Sequence, residues 1–270
     1  MAEKEKFEKK LAVVTGASSG IGYYLAHEFA KNGYDLVIVA EDAGIHTAAD
    51  AFREHGNLVH VVQADLTEPQ GIEATYQKIL SINCPVESIA LNAGIGVGGA
   101  TFDKTSLNQE IKMLKLNVIS TVHLAKLVLR DMLAKGHGRI LFTSSVAAIM
   151  PGPYEAVYSG TKAFIQFFAE ALRAENIDKG ITVTALLPGP TETNFFARAG
   201  MEDTKVGQSK KDDAQEVAEM GFKALMEGKD MVVAGSFMNK VQTTMAKMMP
   251  QSIAAKMHGN MSKPNSPDKR

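Results

Sequence analysis

Tyr158-Ser159-Gly160-Thr161-Lys162 sets a phenol and an ammonium four residues apart. On a helix, residues i and i+4 share a face, so the Lys162 ammonium can sit near the Tyr158 phenol. An ordinary tyrosine, with a pKa of about 10, is a poor base at neutral pH. A nearby cation stabilises phenolate and lowers that value. Such a tyrosine can exchange a proton with an alcohol or carbonyl oxygen. By itself the pattern is weak, because Y-x-x-x-K recurs by chance on helix surfaces. Ser144-Ser145 close an apolar run, GRILFT at 138–143. A hydroxyl at Ser145 can hold the oxygen that Tyr158 protonates, or cap its own turn.

The segment TGASSGIG at 15–22 suits a different task. Gly16, Gly20 and Gly22 stand between an apolar run and a segment of helical spacing. Glycine lets backbone approach a pyrophosphate with no Cβ in the way. The N–H groups of the following helix, with Ser18, Ser19 and Ile21 in the loop, offer an anion site. This context predicts dinucleotide binding. Glu41 and Asp42 follow the second apolar run, about where a carboxylate meets the adenosine ribose. A carboxylate there accepts from the ribose hydroxyls of NAD and repels the 2′-phosphate of NADP. NAD is therefore favoured, with NADP open; both residues also read as solvated loop carboxylates.

Several short apolar runs must position these groups. Strands are predicted at 11–15, 35–40, 58–63, 88–91, 138–143, 181–187 and 231–234. Helices are predicted at 21–31, 45–54, 71–80, 107–134 and 158–175. Continuous apolar strands alternating with helices indicate a parallel sheet covered on both faces. The fold class is α/β, a doubly wound sheet of about seven strands, with ligands at the carboxyl ends of its strands. One domain spans about 1–260, with no linker or repeat.

Composition excludes several classes. There are 29 Lys+Arg against 30 Asp+Glu, so no basic excess points to nucleic acid. Cys84 is the single cysteine, which rules out an intrachain disulfide and a cysteine-built zinc site. His123 and His137 lack partners at metal-ligand spacing, so no metal is expected. The charged start MAEKEKFEKK reads as a solvated tail, not a signal peptide, and no run reaches the roughly 18 apolar residues of a membrane span. A cytoplasmic protein is expected. Of 14 methionines, 10 lie from Met201 onward. Met238, Val241, Met245, Met248 and Met249 follow helical spacing within a Met-rich segment at about 238–258, and could cover a cleft, a second subunit or a lipid-like ligand. The polar stretch 261–270 reads as a disordered tail.

Taken together, these pieces resemble the short-chain dehydrogenase/reductase family. The resemblance is carried by TGASSGIG, Asp65 in ADL, Asn92-Ala93-Gly94, Asn117 in LNV, Ser145, Tyr158, Lys162, and Pro188-Gly189 with Thr191 and Thr193. They occur in the family's order over about residues 8–235. Leu91 and Ala148 depart from the usual pattern without removing a proton-transfer group.

The resemblance implies a Rossmann-type domain, a nicotinamide cofactor and interconversion of a secondary alcohol and a ketone by hydride transfer. It makes Tyr158 the general acid/base, Lys162 its pKa-lowering partner and ribose ligand, Ser145 the substrate-orienting hydroxyl, and Asn117 part of a water-linked proton path. Asp65 and Leu66 would meet the adenine, Asn92, Ala93 and Gly94 would shape the adenosine pocket, and 188–193 would fold over the nicotinamide. Ile149, Met150 and Phe195 would border an apolar substrate part, and about 190–212 would form a mobile lid. Pairing into a homodimer or homotetramer through 107–134 and 158–175 is implied too. A catalytically silent dinucleotide-binding regulator, and an epimerase or dehydratase on this scaffold, are the alternatives.

Overall fold

A computed structural model describes residues 10–236, 239 and 249–266. Seven parallel strands form one sheet: β1 (Lys10–Thr15), β2 (Tyr34–Ala40), β3 (Val59–Gln63), β4 (Val86–Leu91), β5 (Gly138–Thr143), β6 (Ile181–Pro188) and β7 (Met231–Ala234). Their order across the sheet is β3-β2-β1-β4-β5-β6-β7. The strands are apolar throughout because both faces are covered. Successive residues turn to opposite faces, so Val13 and Val37 join one core while Val14 and Ile38 join the other.

On the first face lie α3 (Pro69–Ser81), α5 (Thr121–Lys135) and α6 (Ala156–Asn176). They bury Ile72, Leu124, Val128, Met132 and Ile165. On the second lie α1 (Gly20–Lys31), α2 (Gly44–Arg53) and α9 (Ala214–Met226), burying Leu25, Phe29, Ile45, Phe52, Val217 and Leu225. Fully burying each such side chain stabilises by roughly 1.5–3 kcal/mol. Strand order reverses between β1 and β4, which opens a crevice at their carboxyl ends.

Three segments differ from expectation. The predicted helix 107–134 is α4 (Leu107–Leu114), a π-helical turn over Lys115–Ser120, then α5. That turn holds Asn117, whose amide bonds to Ile95 and Thr161. The excursion at about 190–212 contains α7 (Phe195–Ala199) and α8 (Lys205–Gln208), too short to leave a periodic trace. Its ends are tied by the Asp212 N–H to the Pro190 carbonyl and the Glu192 N–H to the Asp212 carbonyl, each at 2.8 Å.

The stretch expected to be a disordered tail is corrected over 261–266. Met261 and Ser262 complete α10 (Gln251–Ser262), and Pro264 bridges to Thr204. The Asn265 N–H donates to the Asp203 carbonyl at 2.8 Å. Polar composition hid this because the segment is held by backbone bonds rather than by apolar burial. Residues 267–270, the N-terminal tail before Lys10, and Met238, Val241, Met245 and Met248 lie outside the described residues. Among the described residues no helix is long and apolar enough to cross a membrane.

Candidate active site

The carboxyl ends of β1, β2, β4, β5 and β6 open into one cleft of about 560 Å³. One half is built on the glycine loop. Gly16 adopts φ +70°, which favours glycine. At Gly22 an added Cβ would lie 2.0 Å from the Gly16 carbonyl oxygen and 2.4 Å from Asn92 Nδ2. The loop therefore folds tightly back on itself and aims the first turn of α1 into the cleft. Ser18, Ser19, Gly20 and Ile21 line the same wall. The arrangement is a cradle for an anionic group, met by backbone N–H and the helix dipole.

Beneath the loop, Thr15 Oγ1 accepts the Asn92 and Ala93 N–H groups, each at 3.0 Å. Asn92 Nδ2 donates to the Thr15 carbonyl at 3.2 Å, and Asn92 Oδ1 accepts from the Thr143 hydroxyl at 3.1 Å. Asn92 thus locks the ends of β1, β4 and β5 together. Ala93 and Gly94 continue along the cleft floor.

Past β2, Asp42 accepts the Ser18 hydroxyl at 2.7 Å and the Gly44 N–H at 3.0 Å. Glu41 pairs with Lys112 at 3.4 Å. Both carboxylates line the cleft, as do Asp65 and Leu66 after β3. Partial burial pushes the Asp65 carboxyl up, but bonds from the Thr67 N–H and hydroxyl outweigh it and hold the carboxyl below its ordinary range.

The other half is built on β5, α6 and the π-helical turn. Tyr158, Lys162 and Ser145 are all buried at the cleft wall. Lys162 Nζ donates to the Thr143 carbonyl at 2.9 Å and lies 5.8 Å from the Tyr158 ring centroid. The Ser144 hydroxyl donates to the Lys162 carbonyl at 2.9 Å, pinning α6 to the end of β5. Ser145 Oγ accepts the Ala147 N–H at 3.1 Å, and its hydroxyl lines the cleft with the Tyr158 phenol, on which it acts to lower the pKa.

Burial pushes Lys162 down to about 8. Burial also pushes the Tyr158 phenol up, the Glu155 carboxylate adds to that, and the Ser145 bond opposes it. The expected lowering of the phenol by Lys162 does not appear among the causes, and burial sets the direction. Desolvation disfavours both charged forms at once.

Asn117 does not line the cleft directly. Its Oδ1 accepts the Ile95 N–H at 3.0 Å, and its Nδ2 donates to the Ile95 carbonyl at 2.9 Å and to Thr161 Oγ1 at 3.1 Å. An added Cβ on Gly94 would stand 3.2 Å from Asn117 Oδ1 and 3.5 Å from Lys162 Nζ. The amide and the ammonium therefore converge behind Gly94.

The loop after β6 closes the cleft. Pro188, Gly189, Thr191 and Thr193 line it. Asn239 Nδ2 donates to Asp212 Oδ2 at 2.7 Å and to the Ala234 carbonyl at 3.2 Å, against Gly189. Phe195 packs against Tyr158 at a tilt of 51°, ring centroids 5.2 Å apart. Met150 borders the cleft. Ile149 does not: the 3₁₀ turn Val146–Ile149 rotates it onto the main core and a neighbouring groove.

The lining residues that the sequence does not announce include the polar groups of Glu155, Arg198, Asn239 and His258. Glu155 stands one turn before Tyr158, a spacing that could have flagged it. The other three arrive from distant segments and left no local signal. Among the described residues no three metal-ligating side chains converge.

The family model described as short chain dehydrogenase matches residues 10–204. An uncharacterised short-chain type dehydrogenase/reductase of Sinorhizobium fredii is 34% identical over 197 residues, 73% of this chain and 76% of that protein. A short-chain dehydrogenase from Sphingobium yanoikuyae, solved in complex with NADPH, superposes with TM-score 0.77 at 30% identity, covering 83% of this chain and 87% of that one. The bulky-bulky ketone specific alcohol dehydrogenase from Comamonas testosteroni superposes with TM-score 0.75 at 26% identity, covering 93% and 99%.

Proposed function

Because the chain belongs to the short-chain dehydrogenase family, we propose that it interconverts a secondary alcohol and a ketone, with Tyr158 as general acid/base. The observation that carries this reading is the buried Tyr158 phenol, lining one cleft with Ser145 and the glycine loop and standing one helical turn from Lys162.

The glycine cradle, the ribose-side carboxylates and Lys162 fit a nicotinamide dinucleotide. When bound, that cofactor supplies or accepts the hydride. The chain's own residues supply position and protons. Ser145 orients the substrate oxygen, and Tyr158 gives it a proton in reduction or takes one in oxidation. A phenol held protonated by burial is ready as the acid. Lys162 holds ribose hydroxyls and, when charged, favours the phenolate that oxidation requires. Asn117, fixed by both Ile95 backbone groups, gives that lysine a polar neighbour through which water can relay protons.

NAD is the favoured cofactor, because Asp42 is fixed by two bonds at the end of β2 where a 2′-phosphate would meet its charge. The Sphingobium relative binds NADPH, so the preference rests on Asp42 alone. Met150, Phe195, Phe196, Met201, Met257 and Met261 wall the substrate side, which suits a ketone with a bulky apolar part, as the name of the Comamonas relative suggests. Exposed Leu107, Ile111, Phe164 and Phe167 on α4 and α6 support pairing into a homo-oligomer.

The test is NADH and NADPH oxidation with a panel of aliphatic and aromatic ketones, run beside Tyr158→Phe. We expect turnover by the unaltered protein and a loss of about 10³-fold or more in the variant, with cofactor binding retained. Bound cofactor without turnover of any ketone or alcohol would make the protein a dinucleotide-binding regulator instead.

A further inference from the structure

The proton transfer just described uses Ser145, Tyr158 and Lys162, and leaves a second titratable pair in the cleft without a role. Glu155 precedes α6 by one residue and Tyr158 by three. Its side chain is 7% exposed, and that of His258 11%. His258 Nε2 hydrogen-bonds Glu155 Oε1, and the Ser262 hydroxyl donates to the same oxygen at 3.2 Å. His258 and Ser262 are four residues apart, so one face of α10 meets one carboxylate.

That contact is the inner of two attachments. On the far side, Pro264 bridges to Thr204, and the Ser266 N–H donates to Asp203 Oδ2 at 3.0 Å. Met257 and Met261 of α10 border the cleft beside these contacts while remaining exposed. Gly259 packs on Pro153, whose neighbour Tyr154 holds φ +69°, a left-handed conformation uncommon for a residue with a side chain. A strained residue next to a buried carboxylate persists only where the surroundings fix it. A buried carboxylate also needs partners, or its desolvation goes uncompensated.

We propose that Glu155 and His258 are a positioning pair for the reaction: they latch α10 across the substrate chamber and set the field in which Tyr158 exchanges its proton. This rests on the reading of Tyr158 as the acid/base. The charged groups that line the cleft with the phenol are Glu155 just before α6, Lys162 on α6, His258 on α10 when protonated, and Arg198 on α7. After burial, the Glu155 carboxylate is the remaining cause that raises the phenol. With His258 neutral, the carboxylate acts on Tyr158 in full. With His258 protonated, the pair's charges offset each other and the phenolate forms more readily.

Two variants of the full chain test this. The first readout is ultraviolet phenolate absorbance against pH with saturating NAD⁺, taken as the difference from Tyr158→Phe. Glu155→Gln keeps the shape and hydrogen-bonding capacity while removing the charge. It should move the Tyr158 ionisation down by about one pH unit. The second is amide exchange over 251–262 with KM for 2-decanone. His258→Gln should speed that exchange and raise KM about tenfold while leaving NAD⁺ affinity unchanged. An unmoved phenolate midpoint in a folded Glu155→Gln protein would overturn the electrostatic role. Unchanged exchange in His258→Gln would overturn the latch. The phenolate titration requires no turnover, so it decides the pair's role separately from the ketone assay.

Discussion

Lys162 Nζ donates to the Thr143 carbonyl at 2.9 Å, tying α6 to the last residue of β5 from within a buried site. Burial holds this lysine near 8, below its ordinary 10.5. A depressed pKa means that the folded protein resists the proton the unfolded chain accepts. The stability this costs is recovered in full only above about 10.5 and is lost as pH falls toward 8. Lys162→Met should therefore raise stability at pH 7. The shift corresponds to about 3 kcal/mol, less about 1 kcal/mol for the Thr143 carbonyl left without its donor. A gain of about 2 kcal/mol in urea unfolding at pH 7 is expected, shrinking as pH rises above 8 and becoming a loss of about 1 kcal/mol above about 10.5, where only the orphaned Thr143 carbonyl counts. Ketone turnover should be lost, so the site holds a charge that the fold alone would reject.

Asp42 accepts from Ser18 and Gly44 and presents its charge at the ribose end of the cleft. Asp42→Ala removes the repulsion toward a 2′-phosphate and the acceptor for ribose hydroxyls together. The ratio of kcat/KM with NADPH to that with NADH should rise by at least about tenfold, a change of about 1.4 kcal/mol. Parallel assays with the two cofactors check this, and an unchanged ratio would place cofactor choice elsewhere, beginning with Glu41 and Lys112.

The sheet was readable because its strands are buried on both faces, which leaves uninterrupted apolar runs such as DLVIVA and ITVTALL. Ser145, Tyr158 and Lys162 were readable because β5 and α6 position them within one local segment. Ile149 was misplaced because a 3₁₀ turn, not an extended loop, follows Ser145, and its rotation is invisible in residue types. The π-helical turn at Asn117 leaves no periodic mark either, since one added residue barely changes the apolar spacing. The Glu155–His258 contact joins residues 103 positions apart, and α10 carries few periodic apolar residues to announce which face turns inward. Long-range polar pairing of this kind follows from the assembled fold rather than from any local pattern.

Asn117 satisfies both backbone groups of Ile95 from inside the π-helical turn. Asn117→Ala leaves the half-buried N–H and carbonyl of Ile95 unmatched at the cleft wall. Each costs about 1 kcal/mol or more, so a loss of about 2 kcal/mol in denaturant unfolding is expected. Because the amide also converges with Lys162 behind Gly94, kcat should fall while cofactor affinity holds. Equal losses in cofactor binding and kcat would reduce Asn117 to a purely structural part.

Gly22 is fixed by contact rather than by conformation. An added Cβ would stand 2.0 Å from the Gly16 carbonyl oxygen, a backbone atom that cannot rotate away, and 2.4 Å from the Asn92 amide that joins three strand ends. Gly22→Ala must therefore push the loop off α1 or the Asn92 side chain off Thr15. Overpacking of this kind typically costs about 1–3 kcal/mol. The first route widens the cradle and the second loosens the strand ends beneath it. Either one should lower NADH affinity by tenfold or more, measured by fluorescence titration. Gly33, where an added Cβ meets nothing within 4 Å, is the control for a glycine loss outside the cradle. Gly33→Asn, a residue that tolerates its left-handed φ of +78°, should bind NADH as the unaltered protein does. Equal affinity in Gly22→Ala and Gly33→Asn would remove the glycine loop from the binding site.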